Sequence, residues 1–130
     1  MRFASRFRSA ATAVALLLAT TLVAAGEVPF EKAAFDAAVA EGKPVIVDFS
    51  ATWCPTCKAQ KPIVQGLLRE PKLKEVTLFL ADYDTEKDLK KQLRVSQQST
   101  FVVFKSGKEV ARSTGVTDKG AIADLFDMAL

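Results

Sequence analysis

The sequence has no histidine and only two cysteines, Cys54 and Cys57. Two thiols are half of a tetrahedral soft-metal set, and no imidazole is present to complete it. Internal repeats, low-complexity tracts and long linkers are also missing, so 130 residues allow one domain with a single compact core. A fully apolar run of membrane-spanning length is lacking too. The uncharged run from Ala10 to Ala25 is interrupted by threonines and falls short of the about 20 residues that a spanning helix needs. Excess charge is missing where it would matter. The formal +3 comes from Arg2, Arg6 and Arg8, and without them the 18 basic residues fall to the level of the 15 acidic ones, all of which lie downstream. A nucleic-acid or anionic-membrane role therefore has no electrostatic support in the rest of the chain.

The basic start, Met1 to Arg8, followed by the Ala, Val, Leu and Thr run and the small residues Val23-Ala24-Ala25, has the layout of a signal peptide. We expect residues 1–25 to be the signal, cleaved near Ala25 and Gly26, and residues 26–130 to be a single exported domain, periplasmic and of bacterial origin. An uncleaved anchor is the alternative; after cleavage no stable membrane insertion is expected. No cysteine follows the cleavage region and Arg6 and Arg8 are separated, so neither a lipid anchor nor a twin-arginine signal is indicated. In an oxidising compartment two cysteines can simply form a structural disulfide. Closing a loop this short removes little entropy from the unfolded chain, which argues for another use.

Downstream, Val28-Pro29 leads into a predicted helix from Phe30 to Glu41, with Pro29 suited to its first turn. Val45 to Ser50 reads as a buried strand, and Pro55 to about Arg69 as a helix that Pro62 should kink. Val76 to Tyr83 is a second strand, then Asp84-Thr85 caps a charged helix from Glu86 to Leu93. Thr100 to Lys105 and Lys108 to Ser113 form a hairpin about Ser106-Gly107, and Thr117 caps a last helix through Leu130. Strands joined through helices should be parallel and the hairpin antiparallel, which gives an α/β fold: a mixed central sheet with helices on both faces. Within it, a Cys-x-x-Cys pair stands where a strand gives way to a helix, a position that points to thiol–disulfide exchange.

The chain resembles the thioredoxin family over nearly all of residues 26–130. The resemblance rests on Val47-Asp48-Phe49, Ala51, Trp53-Cys54-Pro55-Thr56-Cys57-Lys58, Pro62, Asp82-Tyr83-Asp84, Phe104-Lys105-Ser106-Gly107 and Gly115. It implies a thioredoxin-like fold and an enzyme that exchanges a Cys54–Cys57 dithiol or disulfide with protein thiols and disulfides, without a cofactor. Exported members are the most similar, and for them a membrane-bound thiol electron transporter is an expected partner.

Exchange needs a thiolate, a second thiol to resolve the mixed disulfide, and access. Cys54 falls at the first helical turn, where unpaired amides and the helix dipole favour negative charge. A shift from a free-thiol pKa of about 8.5 to about 7 raises the thiolate fraction at neutral pH roughly tenfold. Cys57 lies one turn on, so Cys54 is expected to be the nucleophile and Cys57 the resolver. Pro55 suits helix initiation, and the Thr56 hydroxyl can turn toward either sulfur. Asp48 is a carboxylate inside an apolar strand, and burial would raise its pKa toward neutrality. The resemblance makes it the proton acceptor beneath the resolving cysteine; a strand-edge carboxylate satisfied by backbone donors is the alternative. Trp53 either packs beside the sulfurs or is an ordinary aromatic.

Two positions depart from the family. Leu80 stands where a lysine often accompanies the aspartate. Ser99, in Gln98-Ser99-Thr100, stands where a cis proline usually faces the cysteines and its neighbours pair with an extended substrate. A cis bond before serine costs about 2.5–4 kcal/mol, so Gln98–Ser99 is expected to be trans. Trp53, Pro55, Thr56, Gln98, Ser99 and Thr100 are thus candidate substrate-binding residues. Around the cysteines the chain resembles thioredoxin more than the family's oxidase branch, which often has a histidine beside the second cysteine, and that resemblance implies a reductase or isomerase. The competing readings are a protein- or soft-metal-binding module with turnover lost through Ser99, and an inert structural disulfide.

Overall fold

The computed structural model describes residues 26–130, so the expected signal peptide and its cleavage lie outside the described residues. Five strands form one mixed sheet in the order β1-β3-β2-β4-β5: β1 Gly26–Pro29, β2 Val45–Ser50, β3 Thr77–Asp82, β4 Thr100–Lys105 and β5 Lys108–Thr114. β1 and β2 run parallel to β3, whereas β4 is antiparallel to both β2 and β5. The helices are α1 Lys32–Ala40, α2 Pro55–Leu68, α3 Lys87–Leu93 and α4 Lys119–Asp127, with a 3-10 turn at Pro71–Leu73.

Apolar residues at every position of β2 from Val45 to Val47 bury both faces of the central strand. Ile46, Leu78, Phe101 and Val103 point to one side, against Val64 and Leu67 of α2 and Ile122 and Phe126 of α4. Phe101 and Phe126 meet edge to face at 5.3 Å. Val45, Val47, Phe79 and Val102 point to the other, against Phe35 of α1 and Leu89 of α3. Asp48, two residues after Ile46, falls on the side that carries α2.

The mixed sheet with helices on both faces is as expected, with four local corrections. Val28-Pro29, expected to lead into the first helix, belongs instead to edge strand β1, Gly26–Pro29, paired in parallel with β3. Pro29 ends that strand, and α1 starts at Lys32, where the Glu31 carboxylate accepts from the Ala33 and Ala34 amides. Asp84-Thr85 do not cap α3: Glu86 holds that position, without a side-chain cap. For α4 the cap is Asp118, not Thr117, with Oδ1 accepting from the Ala121 amide at 2.8 Å. The hairpin turns through Ser106 and Gly107 at φ 52° and 81°. These are the two left-handed positions of a tight two-residue turn, and a Cβ on Gly107 would come within 3.3 Å of the Val39 carbonyl.

Candidate active site

The site forms where β2 hands over to α2. Cys54 is the N-cap of α2, extended in backbone, and its sulfur accepts from the Cys57 amide at 3.1 Å. Pro55 takes the first helical position, where a missing N–H costs nothing. One turn brings Cys57 to Cys54, and the two are joined as a disulfide with Cα atoms 5.3 Å apart. Neither is open to solvent: Cys54 is 0% exposed and Cys57 5%, packed with Ala51 and Tyr83. Cys57 also lines a cavity of about 420 Å3 whose wall includes Glu27, Lys58, Lys61, Leu80 and Asp82.

Ser99 lies against the disulfide, its Oγ 3.1 Å from the Cys54 sulfur and 3.2 Å from that of Cys57. The described residues contain no cis peptide, so the Gln98–Ser99 bond is trans, and Ser99 itself is left-handed at φ 60°. Such a conformation persists in a serine only when its surroundings over-determine it. Here the Ser99 amide donates to the Phe49 carbonyl at 2.8 Å, and the Ser99 carbonyl accepts from the Gly115 amide at 2.9 Å. Thr100 begins β4, its hydroxyl bonded to the Gln97 carbonyl and to Thr114. Gln98 is half-buried, whereas Trp53 is exposed, at 55%, with its indole N–H on the Asp84 carboxylate at 2.8 Å.

Asp48 is 7% exposed and central in the sheet, flanked by Leu80 of β3 and Phe101 of β4. Its Oδ1 finds no hydrogen-bond partner among the described residues. That disfavours a strand-edge carboxylate satisfied by backbone donors. Burial, and then the nearby Glu27 carboxylate, push its pKa up to about 7. The facing position, Leu80, holds no cation to reverse this. Such a group can take up and release a proton near neutral pH.

Sequence reasoning missed Gln60 and Glu27. Gln60 is buried in α2, and its amide donates to the carbonyls of Val116 at 2.9 Å and Ser99 at 3.4 Å, tying the serine segment to the cysteine helix. Gln60→Ala would take this donor from the Val116 carbonyl and untie Ser99, whose carbonyl keeps only the Gly115 amide. We expect a loss on the order of 2–3 kcal/mol in urea denaturation, and a change below about 0.5 kcal/mol would show the tie to be idle. Glu27 escaped notice because it belongs to the unrecognised strand β1.

A thioredoxin-type sheet with a Cys-x-x-Cys disulfide at a helix N-terminus defines a thiol–disulfide oxidoreductase of the thioredoxin type. The sequence model of the thioredoxin family matches residues 27–128, and the chain belongs to that family. It is 39% identical over 82 residues to the thioredoxin of Chlamydia trachomatis, covering 63% of this chain and 78% of that protein. To the thioredoxin of Chlamydia pneumoniae it is 37% identical over 93 residues, covering 72% and 88%. Among solved structures, Trxlp from Edwardsiella tarda superposes with a TM-score of 0.74 at 42% identity, covering 77% of this chain and 96% of that one.

Proposed function

We propose that the protein is an exported, periplasmic reductase or isomerase of protein disulfides. Cys54 attacks, Cys57 resolves, Asp48 manages the resolving proton, and a membrane-bound thiol transporter renews the dithiol. The observation that carries the chemistry is the Cys54 sulfur at the helix N-cap, accepting the Cys57 amide. A thiolate there gains both that bond and the positive end of the helix dipole. Export is supported by the basic and then apolar residues before Gly26. Ser99 is read as filling the family's cis-proline position, supported by its contact with both sulfurs. Trp53, Pro55 and Thr56 flank the cysteines in sequence, Gln98 and Thr100 flank Ser99, and all five are read as the substrate-facing residues.

The test of direction is the Cys54–Cys57 reduction potential. A value near about −270 mV fits a reductase, whereas one near about −120 mV identifies an oxidant and overturns the reading. Export is tested by fractionating cells that express the full chain. Recovery of a shortened product beginning near Gly26 in the periplasm is expected, and full-length cytosolic protein would defeat it.

A further inference from the structure

The Ser99 hydroxyl has a single proton and two sulfurs within reach. In the disulfide neither sulfur carries hydrogen, so the hydroxyl is the only possible donor in both contacts. Among the described residues it has no other hydrogen-bond partner. Its backbone is fixed at both ends, by Phe49 and by Gly115, and its carbonyl also takes the Gln60 amide. The position costs left-handed strain in a serine, yet it sets the oxygen between the sulfurs. Ser99 is 2% exposed and Cys54 fully buried, and in so dry a place a donor to a charged sulfur counts for more than it would in water.

We propose that Ser99 is a catalytic residue whose hydroxyl is shared by the two sulfurs, donating first to the Cys54 thiolate and then to the Cys57 thiolate. The proposal rests on the oxidoreductase reading. In the reducing direction, the Cys54 thiolate attacks one sulfur of the partner's disulfide. A Cys54–partner bond forms, and the partner's other sulfur leaves as a thiolate and takes a proton. Cys54 no longer bears charge, so the hydroxyl turns to Cys57. Asp48 takes the Cys57 proton, the Cys57 thiolate attacks the Cys54 sulfur, the Cys54–Cys57 disulfide forms, and the partner's second sulfur leaves with the bonding pair and takes up a proton. Two electrons pass to the partner while the serine proton stays on its oxygen. Only a rotation about the serine Cβ–Oγ bond separates the two donor states.

The charged and titratable groups around the pair are Asp48 of β2, Glu27 of β1, Asp82 of β3, Lys58 and Lys61 of α2, and Tyr83 after β3. All stay unchanged in the test. Thiolate formation is followed by ultraviolet absorbance against pH in full-chain protein carrying either Cys57→Ala or Cys54→Ala, so that each thiol titrates alone. Adding Ser99→Ala should raise the midpoint by about one pH unit in both backgrounds, a tenfold loss of thiolate below the midpoint. Ser99→Gly removes the hydroxyl and also relieves the left-handed strain, so it remains folded and should give the same rise. An unchanged midpoint in either background, or a rise with alanine that glycine does not share, overturns the proposal. The titration involves no partner protein, so its outcome is independent of whether the protein reduces disulfides in the periplasm.

Discussion

Cys54→Ser will reduce insulin disulfides with dithiothreitol no faster than the background, whereas Cys57→Ser will stop after one step and accumulate as a covalent complex with its substrate. The difference follows from the two sulfurs' places. Cys54 caps α2 and receives the Cys57 amide, so it is the sulfur on which negative charge is stabilised. Without it no mixed disulfide forms. Cys57 lies one turn inside the helix, and no amide among the described residues is directed at its sulfur; in the proposed reaction it attacks Cys54 once the partner is bound. Removing it leaves the first step intact and the second without a nucleophile. Complexes are counted on non-reducing gels after acid quenching. Complexes accumulating with Cys54→Ser instead would reverse the assignment.

The central strands were legible because β2, β3 and β4 are rich in apolar residues, and the hairpin because it turns through Ser106-Gly107. The cysteine pair was legible because proline at the next residue marks a helix start. β1 was not, for a physical reason. Four residues ending in proline carry no alternation of their own, and their partner is a strand some fifty residues later. Missing β1 also hid Glu27, the second carboxylate in the field of Asp48. Gln60 was hidden differently. A glutamine inside an amphipathic helix reads as solvent-facing, and only the fold brings the Ser99 and Val116 carbonyls to it. The α4 cap was off by one residue because Thr117 and Asp118 are both good capping residues, and only the backbone decides which side chain reaches the Ala121 amide.

Asp48→Asn is expected to stabilise the protein at pH 8 while slowing resolution of the mixed disulfide. Unfolded, this carboxyl titrates near its ordinary value of 3.8; folded, burial and Glu27 raise it to about 7. Between those values the folded state holds a proton that the unfolded state has released, so stability falls as pH rises through this window and levels off above it. The rise from 3.8 to about 7 corresponds to a cost of up to roughly 4 kcal/mol above pH 7. Asparagine escapes that cost, so the variant's advantage should be near zero below pH 4, grow toward neutrality and stay constant beyond. Urea denaturation from pH 3.5 to 8.5 measures it, and a difference independent of pH would show that Asp48 is not held as a buried, raised carboxyl. Glu27→Gln should move the same window to lower pH, since it removes the smaller of the two causes. The kinetic half follows from the same group. A carboxyl that titrates near 7 can accept the Cys57 proton at neutral pH, and asparagine cannot. Mixed-disulfide resolution should therefore slow in Asp48→Asn and lose the part of its pH profile centred near neutrality. A profile identical to wild type would leave Asp48 with an effect on stability alone.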